Sequence, residues 1–415
     1  MAVIRPFNAL RPASNVANLV ASVPYDVVNA KEASELAEGN PLSLLRVTRS
    51  EIELAEGTDP YSDAVYQKAK QNLAKIKTEA PLTVEDKPAL YIYKLVMDGR
   101  DQIGIAATFS VDDYDTDIVM KHEKTRKEKE DDRTKHIITT EAQTGPVFLT
   151  YKGVKEINEV VDKTMKNTKP IYDFTAPDGI SHTIWILPEE YNQTVISGIA
   201  KTDRLYIADG HHRAASASRA RKVKKDANPN HTGNEEYNFF LAVLFPAEQL
   251  KILSYNRVVA DLNGKTEQEF LAEISKKFDV VKTDIKNPVQ PKSYCMYLNK
   301  TWYLVKPGDS VLASNSLSKS VAERLDVSIL QDFLLNPVLG IDDPRTNKRI
   351  DFVGGIRGTA ELEKLVDSGK AAVAFSLYPV SVFDLMNISD AGEIMPPKST
   401  WFEPKLRDGL LVHLI

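Results

Sequence analysis

Leu205-Tyr206-Ile207-Ala208-Asp209-Gly210-His211-His212-Arg213 is the stretch on which the reading of this chain turns. Arg204–Ala208 reads as a buried strand that runs into Asp209-Gly210, and a helix is expected from His211 to about Val223. Strand followed at once by helix is the unit from which α/β folds are assembled. Gly210 permits a tight backbone turn and lets a ligand approach closely. The first N–H groups of the new helix have no intrahelical partner and make an anion site. His211, His212 and Arg213 add directed donors there, and a guanidinium grips phosphate through two parallel hydrogen bonds. The bland alternative is an ordinary helix start with its polar side chains in water. Adjacent histidines also serve as metal ligands, but successive helical side chains diverge by ~100°, so two neighbours seldom reach one ion. A phosphate cradle at a solvent-facing helix start is the better expectation.

Outward from this motif the chain alternates strands and helices. Helices are expected at 31–38 and 61–77, and strands at Leu90–Leu95, Ile103–Phe109, Val147–Thr150, Thr183–Leu187 and Phe239–Phe245, with a polar loop at 226–236. After about residue 247 the pattern restarts: a helix from Thr266 to Phe278, strands at Tyr294–Leu298, Thr301–Val305 and Ala371–Tyr378, a long helix over Val321–Leu335, and a short one over Glu361–Asp367. The expected architecture is therefore mixed α/β in two domains, residues 1–246 and 247–415. A chain of 415 residues is too long for one ordinary core.

Composition narrows the class. The chain is 42% hydrophobic and 27% charged, with a formal net charge of −5, a poor electrostatic basis for binding a polyanionic nucleic acid. Residues 121–136 are densely charged, but seven Lys/Arg against five Asp/Glu leave them close to balance. No apolar run approaches the ~18 residues of a membrane span, and the first residues lack the basic head and apolar run of a secretory signal. One cysteine, Cys295, excludes an internal disulfide and a CxxC site. A cytoplasmic protein acting on small molecules, without nucleic-acid or membrane partners, is the expectation.

Two further segments carry chemistry. Lys121-His122-Glu123-Lys124-Thr125 sets a carboxylate beside an imidazole and an ammonium, which suits a general base but also suits a solvated helix surface. Met395-Pro396-Pro397-Lys398-Ser399-Thr400-Trp401 stiffens a loop with two prolines and then presents a cation and two hydroxyls. An ordinary proline turn is the alternative. There is no GxxxxGK[ST] phosphate loop and no protein-kinase signature set, and Val353-Gly354-Gly355-Ile356-Arg357-Gly358 matches neither dinucleotide nor kinase spacing.

In this order the three segments resemble the free serine kinases of the ParB/sulfiredoxin superfamily, and also a broad bacterial family labelled as a domain of unknown function. The likeness covers roughly residues 105 to 410. It rests on Asp209-Gly210-His211-His212-Arg213 after an apolar strand, on Gly392-Glu393-Ile394-Met395-Pro396-Pro397-Lys398-Ser399-Thr400, and more loosely on His122-Glu123. It implies a ParB/sulfiredoxin-like catalytic core preceded by an N-terminal extension, and a C-terminal domain whose tail returns to the active site. It implies Glu123 as the base for the serine hydroxyl, with His122 beside the substrate. Asp209 is assigned to the acceptor or its metal, and Gly210, His211, His212 and Arg213 to the transferred phosphate. Lys398, Ser399 and Thr400 would close over the donor phosphate or the serine carboxylate, with Tyr255 and Arg257 flanking the substrate. Where those kinases carry an arginine this chain has Trp401, and Asp26 in Pro24-Tyr25-Asp26 lies outside the likeness.

The expected reaction is Mg²⁺-assisted transfer of a phosphoryl group to free L-serine, from diphosphate, ADP or ATP, in which positioning and charge stabilisation dominate. A metal-dependent phosphohydrolase and a ParB-like nucleotide- or DNA-binding regulator are the rival readings. A sulfiredoxin is excluded, because His211 stands where its cysteine would be.

Overall fold

The computed structural model describes residues 1–318 and 320–415. They divide into two compact units, Met1–Leu250 with Pro404–Ile415, and Lys251–Glu403. The last twelve residues thus belong with the first unit rather than with the segment that precedes them.

The first unit is built on a mixed sheet ordered Val119–Met120, Leu205–Asp209, Val147–Tyr151, Phe239–Pro246, Arg100–Ser110, Tyr91–Met97, Ser181–Ile186 and Tyr172–Thr175, with Ile4–Arg5 also paired to Arg100–Ser110. Two neighbouring pairs are parallel, Leu205–Asp209 with Val119–Met120 and Phe239–Pro246 with Val147–Tyr151; the rest are antiparallel. Phe239–Pro246 is almost entirely buried, which is why it reads as a continuous apolar run rather than an alternation. Ile92, Ile105, Leu149, Ile207, Phe240 and Leu244 form the centre of its core. Helices Lys155–Asn167 and Asn192–Ala200, absent from the sequence expectations, cover that core with Ile157, Val161, Val195 and Ile199. A second cluster joins Leu44, Val47, Leu73 and Ile76 of the N-terminal region to Val412 of the C-terminal segment.

The second unit carries an antiparallel sheet ordered Phe278–Lys282, Thr301–Pro307, Tyr294–Leu298, Val373–Leu377, Tyr255–Val259 and Ile350–Gly354. Cys295 lies buried within it, and burial pushes its thiol up to about 11. The long helix expected over Val321–Leu335 is broken instead. Leu325 is extended (ψ 150°), separating a short turn at Ala322–Arg324 from helix Asp326–Leu330, and Gln331–Leu335 continues as a π-helical turn. The bond from Lys292 N–H to the Asp326 side chain, 2.7 Å, fixes the new helix start at that break.

Candidate active site

The strand Leu205–Asp209 ends beside its short parallel neighbour, and helix His211–Asp226 starts one residue later. Gly210 sits between them at φ +91°, where a side chain would be strained. A Cβ there would also lie 3.1 Å from Arg213 Nε, because the guanidinium folds back over the turn. Small residues let the helix approach the sheet closely: Ala214, Ala217 and Ala220 are all buried.

Arg213 is the centre of the arrangement, and its side chain is largely enclosed (10% exposed) rather than solvent-facing as the sequence suggested. Its Nη2 donates to Asp209 Oδ2 at 3.2 Å, its Nη1 donates to the Pro146 carbonyl, and Asp26 Oδ2 lies 3.9 Å away. Its Nε finds no hydrogen-bond partner among the described residues. Lys405, on the returning C-terminal segment, places Nζ 3.5 Å from Asp209 Oδ1. Burial alone would raise the Asp209 carboxyl, but Lys405 and Arg213 outweigh it and hold the group below its usual value. Asp209 is therefore ionised and shared between two cations.

The histidines are enclosed as well. His211 is 4% exposed and His122 2%. Burial drives the His122 imidazole down to about 4, and burial with His122 and His212 nearby drives His211 well below its ordinary value. Both are neutral at pH 7, packed edge to face with ring centroids 4.3 Å apart. The His122 backbone N–H points at His211 Nε2 across 3.5 Å, so the His211 proton belongs on Nδ1, which lies 3.6 Å from Glu123 Oε2. The same logic applies to His212, whose Nε2 accepts from Arg126 N–H at 3.1 Å and leaves Nδ1 as its donor. Positive charge in the cradle therefore comes from Arg213, Lys405 and the helix N-terminus, not from the imidazoles.

Residues His122–Thr125 are not helical; the helix of the charged segment begins at Lys127. His122 and Glu123 follow one residue after strand Val119–Met120, whose pairing with Leu205–Asp209 brings them to the same sheet end as Asp209. Asp26 arrives from the N-terminal region on a turn held by Arg133, which stacks 4.1 Å over the Tyr25 ring. The first unit thus brings together His122, Glu123, Asp209, Gly210, His211, His212 and Arg213. Sequence reasoning missed Lys405 and Asp408, and it named Asp26 only as a residue that could contribute to the site from outside the likeness. Among the described residues no three His, Cys, Asp or Glu side chains converge to hold a metal ion, and the Asp209 oxygens already face two cations.

The remaining candidates lie in the second unit. Lys398 is in the left-handed region (φ 54°) with Nζ 5.5 Å over the Tyr255 ring, and Trp401 meets that ring edge-on at 5.2 Å. Arg257 Nη2 donates to the Pro397 carbonyl at 3.3 Å, and Ser399 Oγ donates to Pro396 at 2.6 Å. Tyr255, Arg257, Lys398 and Ser399 are thus close to one another. Thr400 is half-buried beside them in sequence.

The chain is a mixed α/β protein that gathers Arg213 and Lys405 around Asp209 at a helix N-terminus. The chain belongs to the family described as protein of unknown function (DUF1015), whose model matches residues 4–328 and so takes in the N-terminal region that the sequence likeness left out. No curated protein matches it. Among solved structures it is similar to a mutant free serine kinase in complex with AMP, at 11% identity and a TM-score of 0.34, covering 74% of this chain and 92% of that one. It is similar also to a conserved hypothetical protein from Pyrococcus furiosus (12%, TM-score 0.33, 75% and 95% covered) and to C-terminally truncated SbnI from Staphylococcus aureus (12%, 0.38, 74% and 87%). No helix among the described residues is long and apolar enough to cross a membrane.

Proposed function

We propose that this chain is a phosphotransferase that moves a phosphoryl group to the hydroxyl of free L-serine. The observation that carries the reading is the cluster at the start of helix His211–Asp226. There Arg213 and Lys405, each half-buried, flank Asp209, and Glu123 lies against the Nδ1 of a neutral His211. Such a cluster supplies fixed positive charge and oriented donors where phosphoryl oxygens gather charge, with little reorganisation during transfer. The motif likeness to serine kinases supplies the acceptor.

In this account Arg213, the His212 Nδ1–H and the first N–H groups of the helix hold the transferred phosphoryl oxygens. Asp209 keeps Arg213 and Lys405 in place. Glu123 orients the serine hydroxyl and receives its proton, and the His211 Nδ1–H fixes which carboxylate oxygen faces the acceptor. Mg²⁺, which is held by one or two carboxylates plus substrate phosphates, would neutralise donor charge, and the exposed Asp26 fits that role better than Asp209. Lys398, Ser399 and Thr400, with Tyr255 and Arg257, are assigned to substrate by the likeness alone.

The test is Glu123→Gln. Losing a general base costs ~10²–10⁴-fold in kcat, with KM values changed only a few fold. Wild-type turnover in the folded variant would remove Glu123 from the mechanism.

A further inference from the structure

Lys405 reaches Asp209 from a stretch with no backbone ladder of its own. Residues 404–407 belong to no helix or strand, and the next regular contact is the bridge in which Asp408 and Ser22 exchange backbone bonds of 2.9 and 3.1 Å. An ammonium on a flexible four-carbon stem keeps one place only if the backbone beneath it is fixed. Leu406 is buried, but apolar burial is non-directional and does not set the angle at which Lys405 leaves the chain.

Direction comes from Arg407, which is held through both its backbone and its side chain. Its backbone N–H donates to Tyr93 Oη at 3.3 Å, and its guanidinium, 4% exposed, donates to Asp178. Asp178 sits in the turn between strands Tyr172–Thr175 and Ser181–Ile186, where its Oδ1 accepts from Ile180 N–H at 3.2 Å and leaves Oδ2 for Arg407. That carboxylate is therefore pre-set by its own turn. Tyr93, on the neighbouring strand Tyr91–Met97, is set in a similar way, with its Oη 2.9 Å from His182 Nδ1. Burial, with the Arg407 charge adding to it, drives His182 down to about 3, so the imidazole is neutral at pH 7. Tyr93 Oη accepts from Arg407, so its own proton is the one donated to Nδ1, and Phe174 stacks on the imidazole at 5.5 Å between centroids. Attachment alone does not require this much, because Ser22, Thr144 and Leu10 already bond the backbone of the C-terminal segment.

We propose that Asp178 and Tyr93 form a latch on Arg407 that positions Lys405 at Asp209. Both are positioning residues, acting on the site through a segment that neither of them belongs to. The latch stands by itself; only its effect on anion binding rests on the phosphotransferase reading.

Lysine labelling of the full chain with acetic anhydride, read peptide by peptide in a mass spectrometer, tests the latch. Lys405 is 12% exposed beside Asp209 and should label slowly in the wild type. Asp178→Asn keeps the turn bond to Ile180 and removes the charge that faces Arg407. In this variant Lys405 should label at least ~10-fold faster, the lower end for a lost charge-assisted bond, while the other lysines keep their rates. Tyr93→Phe should speed Lys405 in the same selective way. Unchanged Lys405 labelling in both variants, or equal acceleration at every lysine, overturns the proposal. Calorimetric titration with inorganic diphosphate reads the consequence for the site. Asp178→Asn should bind it more weakly than wild type and should add no loss in a Lys405→Ala background, because residues acting through one contact are not additive. Weakening in Lys405→Ala but not in Asp178→Asn, or losses that simply add, also overturns the positioning role. Diphosphate binding unchanged in Lys405→Ala, with Lys405 still labelled faster in Asp178→Asn, would keep the latch and remove Lys405 from the anion site instead.

Discussion

Asp408→Asn is expected to stabilise the protein at pH 8 and to leave it nearly unchanged near pH 4. Asp408 is 2% exposed, and its Oδ1 has no partner among the described residues. The carboxylate lies so close to residue 145 that a Cβ there would be 2.1 Å from Oδ1, which is why that position is glycine. It borders a cavity of about 40 Å³ lined also by Arg133, Gln143, Thr144 and Arg213, room for a buried water or two. Burial pushes its carboxyl from 3.8 to about 7; Asp26 adds to the rise, and Arg213, Arg133 and Arg407 oppose it. Between those values the folded protein holds a proton that the unfolded chain has released, so stability falls as pH rises through the window. At ~1.4 kcal/mol for each tenfold shift, the full loss above pH 7 is roughly 4 kcal/mol. An asparagine cannot ionise, so the gap between variant and wild type should open from near zero at pH 4 to ~2–4 kcal/mol at pH 8. Urea unfolding at pH 4, 6 and 8, with equal slopes in both proteins, reads it directly. A gap that is flat with pH, or a variant less stable at pH 8, would show that Asp408 is an ordinary ionised partner of Arg213 and refute the reasoning.

Lys405→Ala should weaken phosphoryl-donor binding ~10–150-fold, as should Arg213→Ala, since each removes a charged contact at the cradle; normal donor binding by calorimetry in both folded variants would show the cluster to be purely structural. Lys398→Ala, at an exposed position by sequence likeness assigned to substrate, should lose most turnover with a melting temperature within ~2 °C of wild type; full activity would release that segment from the site.

The strand-turn-helix at 205–226 was legible because its signals agree: an apolar run, then a glycine where φ must be positive, then a helix start. The expected helix end near Val223 fell one turn short of Asp226. The neutrality of His122 and His211 was not legible, because it comes from burial that three separate segments impose. Lys405 and Asp408 were invisible for a related reason. Their partners are distant in sequence, and no local pattern announces that the last twelve residues fold back into the first unit. Helix Val382–Asp390 was missed although its Ser381/Asp384 capping box is local and readable. At 321–335 periodicity outvoted the break that Leu325 and Asp326 impose.

The central claim is tested most directly by following phosphorus NMR spectra of the purified protein with L-serine and Mg²⁺, with diphosphate, ADP or ATP supplied in turn. The account predicts an O-phospho-L-serine resonance with at least one donor, dependent on serine and lost in Glu123→Gln. Orthophosphate alone, released at the same rate with or without serine, would contradict it and leave a phosphohydrolase in its place.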